Sequence, residues 1–178
     1  LALKHNKKGK NRENEYYCNL IMHFADLTPV GKIEIIKLIE KAFEMKEKAY
    51  CPYSKYHVGA ALLTKSGKIY GGHNIENSSY GATVCAERTA VFKAVSEGER
   101  EIIAIAICGG LEGTQPKGDE HDNAFPCGIC RQVLREFSNP KDLIVYVCPT
   151  KDKYNKFTLE ELLPHSFGPE FLLDDCKK

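Results

Sequence analysis

The sequence predicts an α/β fold, with helices covering a mixed sheet of about five strands. Three observations predict it. Stripes of apolar residues at helical spacing alternate along the chain with short β-branched runs. Two of those runs, Ile102–Cys108 and Leu143–Cys148, are apolar throughout, as strands buried on both faces are. A turn-like Lys65-Ser66-Gly67 joins two further strand-like segments, which reads as a hairpin. Helices alternating with buried strands pack as layers around one core, and 178 residues suffice for one such domain.

Each element follows from local chemistry. Residues 1–26 are rich in Lys, Asn and Glu and lack periodicity, so they are expected to be a disordered extension preceding a domain over 27–178. Thr28 can cap a first helix, and Pro29 suits its first turn. Ile35, Leu38, Ala42, Met45 and Ala49 form its apolar stripe, and Pro52 stops it. Val58–Thr64 and Lys68–Asn74 are the hairpin strands. A helix is expected from Cys85 to about Glu97, ended by Gly98, and another over Cys127–Phe137, ended before Pro140. Residues 111–125 carry Gly113, Pro116 and Gly118 among acids and read as a mobile polar loop. A weak strand near Lys156–Phe157 leads into a short helix. There Thr158 and Glu161 make a capping box, Leu159 and Leu162 the apolar face, and Pro164 the stop.

Composition narrows the function. No apolar run reaches the length of a membrane span, and the basic N-terminus is followed by no apolar segment of signal-peptide length, so a cytoplasmic protein with no membrane partner is expected. The net charge of +1 conceals an asymmetry. Lys4, Lys7, Lys8, Lys10 and Arg12 precede the first acid, and without these five the chain holds 20 basic against 24 acidic residues. A body of net −4 is poorly suited to a polyanion, because nucleic-acid affinity comes largely from Lys and Arg neutralising phosphates. Nucleic acid is therefore not the expected partner.

Eight cysteines are too irregularly spaced for a disulfide framework. Cys18, Cys51, Cys108, Cys148 and Cys176 read as small apolar residues. The other three stand in context: Cys85-Ala86-Glu87, and Pro126-Cys127-Gly128-Ile129-Cys130. Three thiolates can hold one zinc and leave its fourth position open for water, whereas structural sites close all four. Glu87, one residue removed from a ligand, can exchange protons with that water. Both clusters fall at expected helix starts, where the dipole and free N–H groups favour thiolate. Three thiolates around a dication leave a negative site, so Arg88 and Arg131, each adjacent in sequence to the motif, are candidates for drawing electron density from sulfur. A Cys-x-Glu followed by Pro-Cys-x-x-Cys resembles the signature of zinc deaminases acting on nucleobases. The rival reading of the same cysteines is a non-catalytic zinc-binding module with a closed metal shell.

From about Ala49 to Phe171 the chain resembles the cytidine deaminase family in its short, three-cysteine, homotetrameric branch. The resemblance rests on Tyr50-Cys51-Pro52-Tyr53-Ser54, Val58-Gly59-Ala60-Ala61, Asn74-Ile75-Glu76-Asn77, Cys85-Ala86-Glu87-Arg88-Thr89-Ala90, Pro126-Cys127-Gly128-Ile129-Cys130-Arg131-Gln132 and Ser166-Phe167-Gly168-Pro169-Glu170. It implies a three-layer α-β-α architecture and one Zn2+ per subunit. It also implies deamination of cytidine and 2′-deoxycytidine to the uridines in pyrimidine salvage, in a homotetramer with sites at subunit interfaces. By position it implies that Asn74 and Glu76 hold the ribose 3′-hydroxyl, and that Ala86 recognises the base through its main chain. Tyr56 occupies a position where the family usually places phenylalanine against the pyrimidine. Phe167 corresponds to an aromatic that closes a neighbouring subunit's site, with Tyr80 near the same interface. The loop at 111–125 is longer than usual for the family. A relative acting on another aminopyrimidine, whether nucleotide, nucleoside antibiotic or polynucleotide cytosine, is the rival within enzymes.

Overall fold

The computed structural model describes residues 31–117, 119 and 122–173. The expected extension over 1–26, the Thr28 cap, Pro29, Cys18 and Cys176 lie outside the described residues. The elements run α1 (Lys32–Lys46), β1 (Tyr56–Thr64), β2 (Ile69–His73), α2 (Ala86–Ser96), β3 (Ile102–Leu111), α3 (Gly128–Glu136), β4 (Ile144–Val147), β5 (Asn155–Thr158) and α4 (Leu159–Leu162). Short 3-10 turns occupy Tyr80–Ala82 and Pro169–Phe171.

The five strands form one mixed sheet in the order β2-β1-β3-β4-β5. β1 pairs antiparallel with both β2 and β3, β3 pairs parallel with β4, and β5 closes the edge antiparallel to β4. A parallel neighbour requires a crossover, and α3 supplies it.

Side chains alternate across the sheet with the period of two that a strand imposes. Ala61, Leu63, Ala104, Ala106, Ile144 and Tyr146 meet Ile35, Leu38, Ile39 and Ala42 of α1 on one face. Ala60, Leu62, Ile105, Ile107, Val145 and Val147 meet Ala86, Ala90, Val91 and Ala94 of α2 and Leu134 of α3 on the other. This is the expected α-β-α arrangement, and it explains why β3 and β4 read as unbroken apolar runs. Two glycines set how closely the layers approach. A Cβ on Gly59 would run into the backbone of α1 at Ala42 and Lys46, and one on Gly72 into the backbone of α2 at Ala86 and Ala90.

Most boundaries shift by a residue or two, and two of the shifts have a clear physical cause. The apolar stripe extends the first helix to Ala49, but α1 ends at Lys46, because Tyr50 forms a bridge with Ile75 and exchanges backbone hydrogen bonds with Asn74 and Glu76. β3 runs beyond the expected Cys108 through Gly109 and Gly110 to Leu111, the first residue of the expected loop, because β1 offers partners as far as Tyr56. The capping box at Thr158 and Glu161 is present as read. Cys51, Cys108 and Cys148 are buried, and burial pushes the Cys108 thiol up to about 12.

Candidate active site and metal centre

Cys85 is the N-cap of α2 and Cys127 the N-cap of α3, both with extended backbone. Neither makes a side-chain cap bond. Cys130 lies one turn into α3 and is fully buried. Packing α2 beside α3 over the same sheet face brings all three sulfurs within 4.8 Å of one another. Cys85 Sγ stands 3.9 Å from Cys127 Sγ, which stands 3.5 Å from Cys130 Sγ. Tetrahedral zinc with Zn–S bonds of about 2.3 Å separates its sulfurs by about 3.8 Å, so the trio fits that ion.

The electrostatics favour anionic sulfur at Cys85. Its thiol is held down to about 5, first by a hydrogen bond from Cys130 and then by the Arg88 guanidinium, against the opposing effect of burial. Cys130 moves the other way, its proton retained by the bond to Cys85 and by burial. Arg88 Nη2 donates to Cys85 Sγ at 3.7 Å and to the Thr83 carbonyl at 3.0 Å, while its buried Nε has no partner among the described residues.

Arg131, the other arginine expected to act on sulfur, bonds two backbone carbonyls. Its Nε donates to the Pro126 carbonyl at 2.7 Å and its Nη1 to the Leu162 carbonyl at 2.5 Å, tying the residue before Cys127 to the end of α4.

Beside the sulfurs opens a cavity of about 300 Å³ lined by Cys85, Cys127, Glu87, Asn74 and Tyr56. Val58, Thr83, Asn123, Ala124 and Phe125 complete its wall. Two larger clefts, of about 460 and 410 Å³, contain no cysteine and lie apart from this chemistry. Glu87, in the first turn of α2, is only 3% exposed, and burial raises its carboxyl to about 7, with the nearby Cys85 charge acting in the same direction. Ala86 is fully buried between Cys85 and Glu87.

The remaining expected residues divide. Asn74 lines the cavity, yet its amide also staples β1: Oδ1 accepts from Val58 N at 2.9 Å and Nδ2 donates to the Tyr56 carbonyl at 2.8 Å. Glu76 is buried but is not among the cavity-lining residues; its Oε2 accepts from the backbone N–H of Tyr53 at 2.9 Å and of Ser54 at 3.2 Å. Phe167 lies outside the cavity wall, 56% exposed and stacked on Phe171. Asn123, Ala124 and Phe125 were missed in the sequence. Their adjacency to Pro126-Cys127 was the available signal, since residues leading into a ligand tend to share its site.

Fold and site together define a known class of protein. The family model described as cytidine and deoxycytidylate deaminase zinc-binding region matches residues 33–147, and the chain belongs to this enzyme family. A cytidine deaminase of Halalkalibacterium halodurans is 46% identical over 137 residues, covering 77% of this chain and 96% of its own. A probable cytidine deaminase of Dictyostelium discoideum is 42% identical over 140 residues, covering 79% and 88%. Among solved structures, cytidine deaminase from Burkholderia pseudomallei superimposes with a TM-score of 0.64 at 42% identity, over 74% of this chain and 97% of that one. The enzyme from Mycobacterium tuberculosis gives 0.61 at 36% identity, over 74% and 95%.

Proposed function

We propose that the protein is a zinc-dependent cytidine deaminase, converting cytidine and 2′-deoxycytidine with water to the corresponding uridines and ammonia. The observation that carries this reading is a buried carboxyl, Glu87, lining one small cavity with Cys85 and Cys127, whose sulfurs converge with that of Cys130. A zinc ion held by Cys85, Cys127 and Cys130, one per subunit, would supply a water-derived nucleophile usable at neutral pH. Glu87 takes one proton of the attacking water and delivers it to the ring nitrogen, then carries the proton left on the added hydroxyl to the amino group, which departs as ammonia while the carbonyl forms. A carboxyl raised to about 7 is suited to both directions of that transfer.

Tyr56 stacks against the pyrimidine, and the main chain at Ala86 reads its edge. Asn74 retains a second amide hydrogen and a second lone pair for the ribose hydroxyl after stapling β1. Glu76, held ionised by hydrogen bonds from Ser54 and Tyr53, completes the ribose site and disfavours a phosphorylated substrate. Arg88 moderates the charge on Cys85, and Arg131 supports Cys127 through Pro126. Exposed Tyr50, Tyr53, Tyr80, Phe167 and Phe171 support a homotetramer in which Phe167 closes a neighbour's site. We place the enzyme in cytoplasmic pyrimidine salvage, with 27–178 as the deaminase domain and 1–26 as an extension. The test is zinc analysis together with ammonia release, on one sample, from cytidine, 2′-deoxycytidine, cytidine monophosphate and a single-stranded oligonucleotide. Turnover of the two nucleosides is expected; preference for either phosphate-bearing substrate would overturn the reading.

A further inference from the structure

Among the described residues no backbone–backbone hydrogen bond involves residues 123–125, although all three line the cavity and lead directly into Cys127. Side chains from one unit hold the segment instead. Asn155 Nδ2 donates to Asn123 Oδ1 at 3.0 Å, and the Phe157 ring packs against Phe125 with centroids 5.6 Å apart. Asn155 and Phe157 are two apart on β5, hence on one side of the strand, and they meet two loop residues that are also two apart. Arg131 adds the third tie, from the Pro126 carbonyl to the last residue of α4. Behind the wall, Ala124 is buried against Gly109 with no room for a Cβ on that glycine.

Building on the proposed function, we propose that β5 and α4 form a buttress that positions the cavity wall and Cys127, making Asn155, Phe157 and Arg131 positioning residues for substrate and metal. Cys127 is the most exposed of the three sulfur-bearing residues, so burial does least to fix it and the chain leading into it does most. The two strand residues reach no sulfur and line no part of the cavity; they act through Asn123 and Phe125.

The test uses the full-length, zinc-loaded enzyme. Asn155→Ala alters an exposed edge position, so the fold should persist. Its KM for cytidine should rise about fivefold, roughly what one ordinary hydrogen bond is worth, with kcat changed less than about twofold. Asn123→Ala combined with Asn155→Ala should raise KM no further than Asn123→Ala alone. Phe157→Leu should act as Asn155→Ala does, and Phe157→Tyr should restore wild-type KM. Amide exchange in the peptide containing 123–127, and zinc loss to a chelator, should both quicken in Asn155→Ala. A variant with lowered Tm but wild-type KM, exchange and zinc release would overturn the buttress. If the wild type releases no ammonia from cytidine, the proposed function falls separately. Exchange and zinc release then decide the buttress: quickened rates uphold it, and unchanged rates overturn it.

Discussion

Glu87 and Glu76 are both buried carboxylates, and their surroundings push them in opposite directions. Glu87 has little to compensate its desolvation and rises to about 7; Glu76 accepts hydrogen bonds from Ser54 and Tyr53 and falls below its ordinary 4.5. A group that titrates near neutrality can take a proton and return it, while one that stays ionised can only hold a partner. Glu87→Gln is therefore expected to lower kcat by about a hundred- to ten-thousand-fold with zinc content unchanged, read by ammonia release and metal analysis. For Glu76 the native state binds fewer protons than the unfolded chain between its depressed pKa and 4.5, so its stabilising contribution is complete above 4.5. That contribution disappears as pH falls through the folded value. Thermal melts of wild type against Glu76→Gln should show a wild-type advantage at pH 7 that closes in acid. The roles proposed for Cys85, Cys127, Cys130 and Glu87 were legible because chemistry and spacing lie within a few residues. The bonding of Arg131 was not, since its Leu162 partner is 31 residues away and only folding brings it near.

Helices α2 and α3 matter through where they begin. Each starts immediately after a cysteine, so the positions of two sulfurs are set by how the helices lie on the sheet. Gly72 controls that distance for α2, because any side chain there meets the backbone of Ala86 and Ala90. Gly72→Ala is expected to cost about 1–3 kcal/mol, the usual range for overpacking, and to weaken zinc retention by displacing Cys85. Denaturant titration and chelator competition measure the two effects. The hairpin, both cysteine-led helices and the capping box were readable because each depends on local periodicity or a three-residue contact. The end of α1 was not. Met45 and Ala49 keep helical spacing, but Tyr50 is claimed by a bridge to Ile75 across the fold, and long-range pairing overrode the pattern.

Across the protein as a unit, several aromatics are exposed, among them Tyr50, Tyr53, Tyr80, Phe92, Phe125, Phe167 and Phe171. Phe167 and Phe171 stack on each other at the surface, on a segment held to α3 by Gln132 donating to the Phe167 carbonyl at 3.0 Å and Arg135 donating to Ser166 Oγ at 3.0 Å. A nearly buried guanidinium, Arg135, also pairs with Glu170. Such anchoring leaves Phe167 exposed, as its proposed role at a neighbour's site requires. Mixing provides the check: Phe167→Ala and Glu87→Gln proteins, each weakly active alone, should regain activity when refolded together, because some sites then combine an intact Glu87 with a neighbour's intact Phe167. Absence of complementation, or an active monomer on sedimentation, would rule out a shared site.

By itself the sequence determined the layer architecture, the two cysteine motifs and the carboxylate beside the first of them. All of these depend on periodicity, helix-start chemistry and spacing over short stretches. Only the tertiary structure decided that α2 and α3 lie side by side over one sheet face, that Arg131 bonds the Pro126 and Leu162 carbonyls, and that β5 contacts the cavity wall. Those arrangements depend on contacts between segments remote in sequence, whose partners are selected by the packing of the whole core.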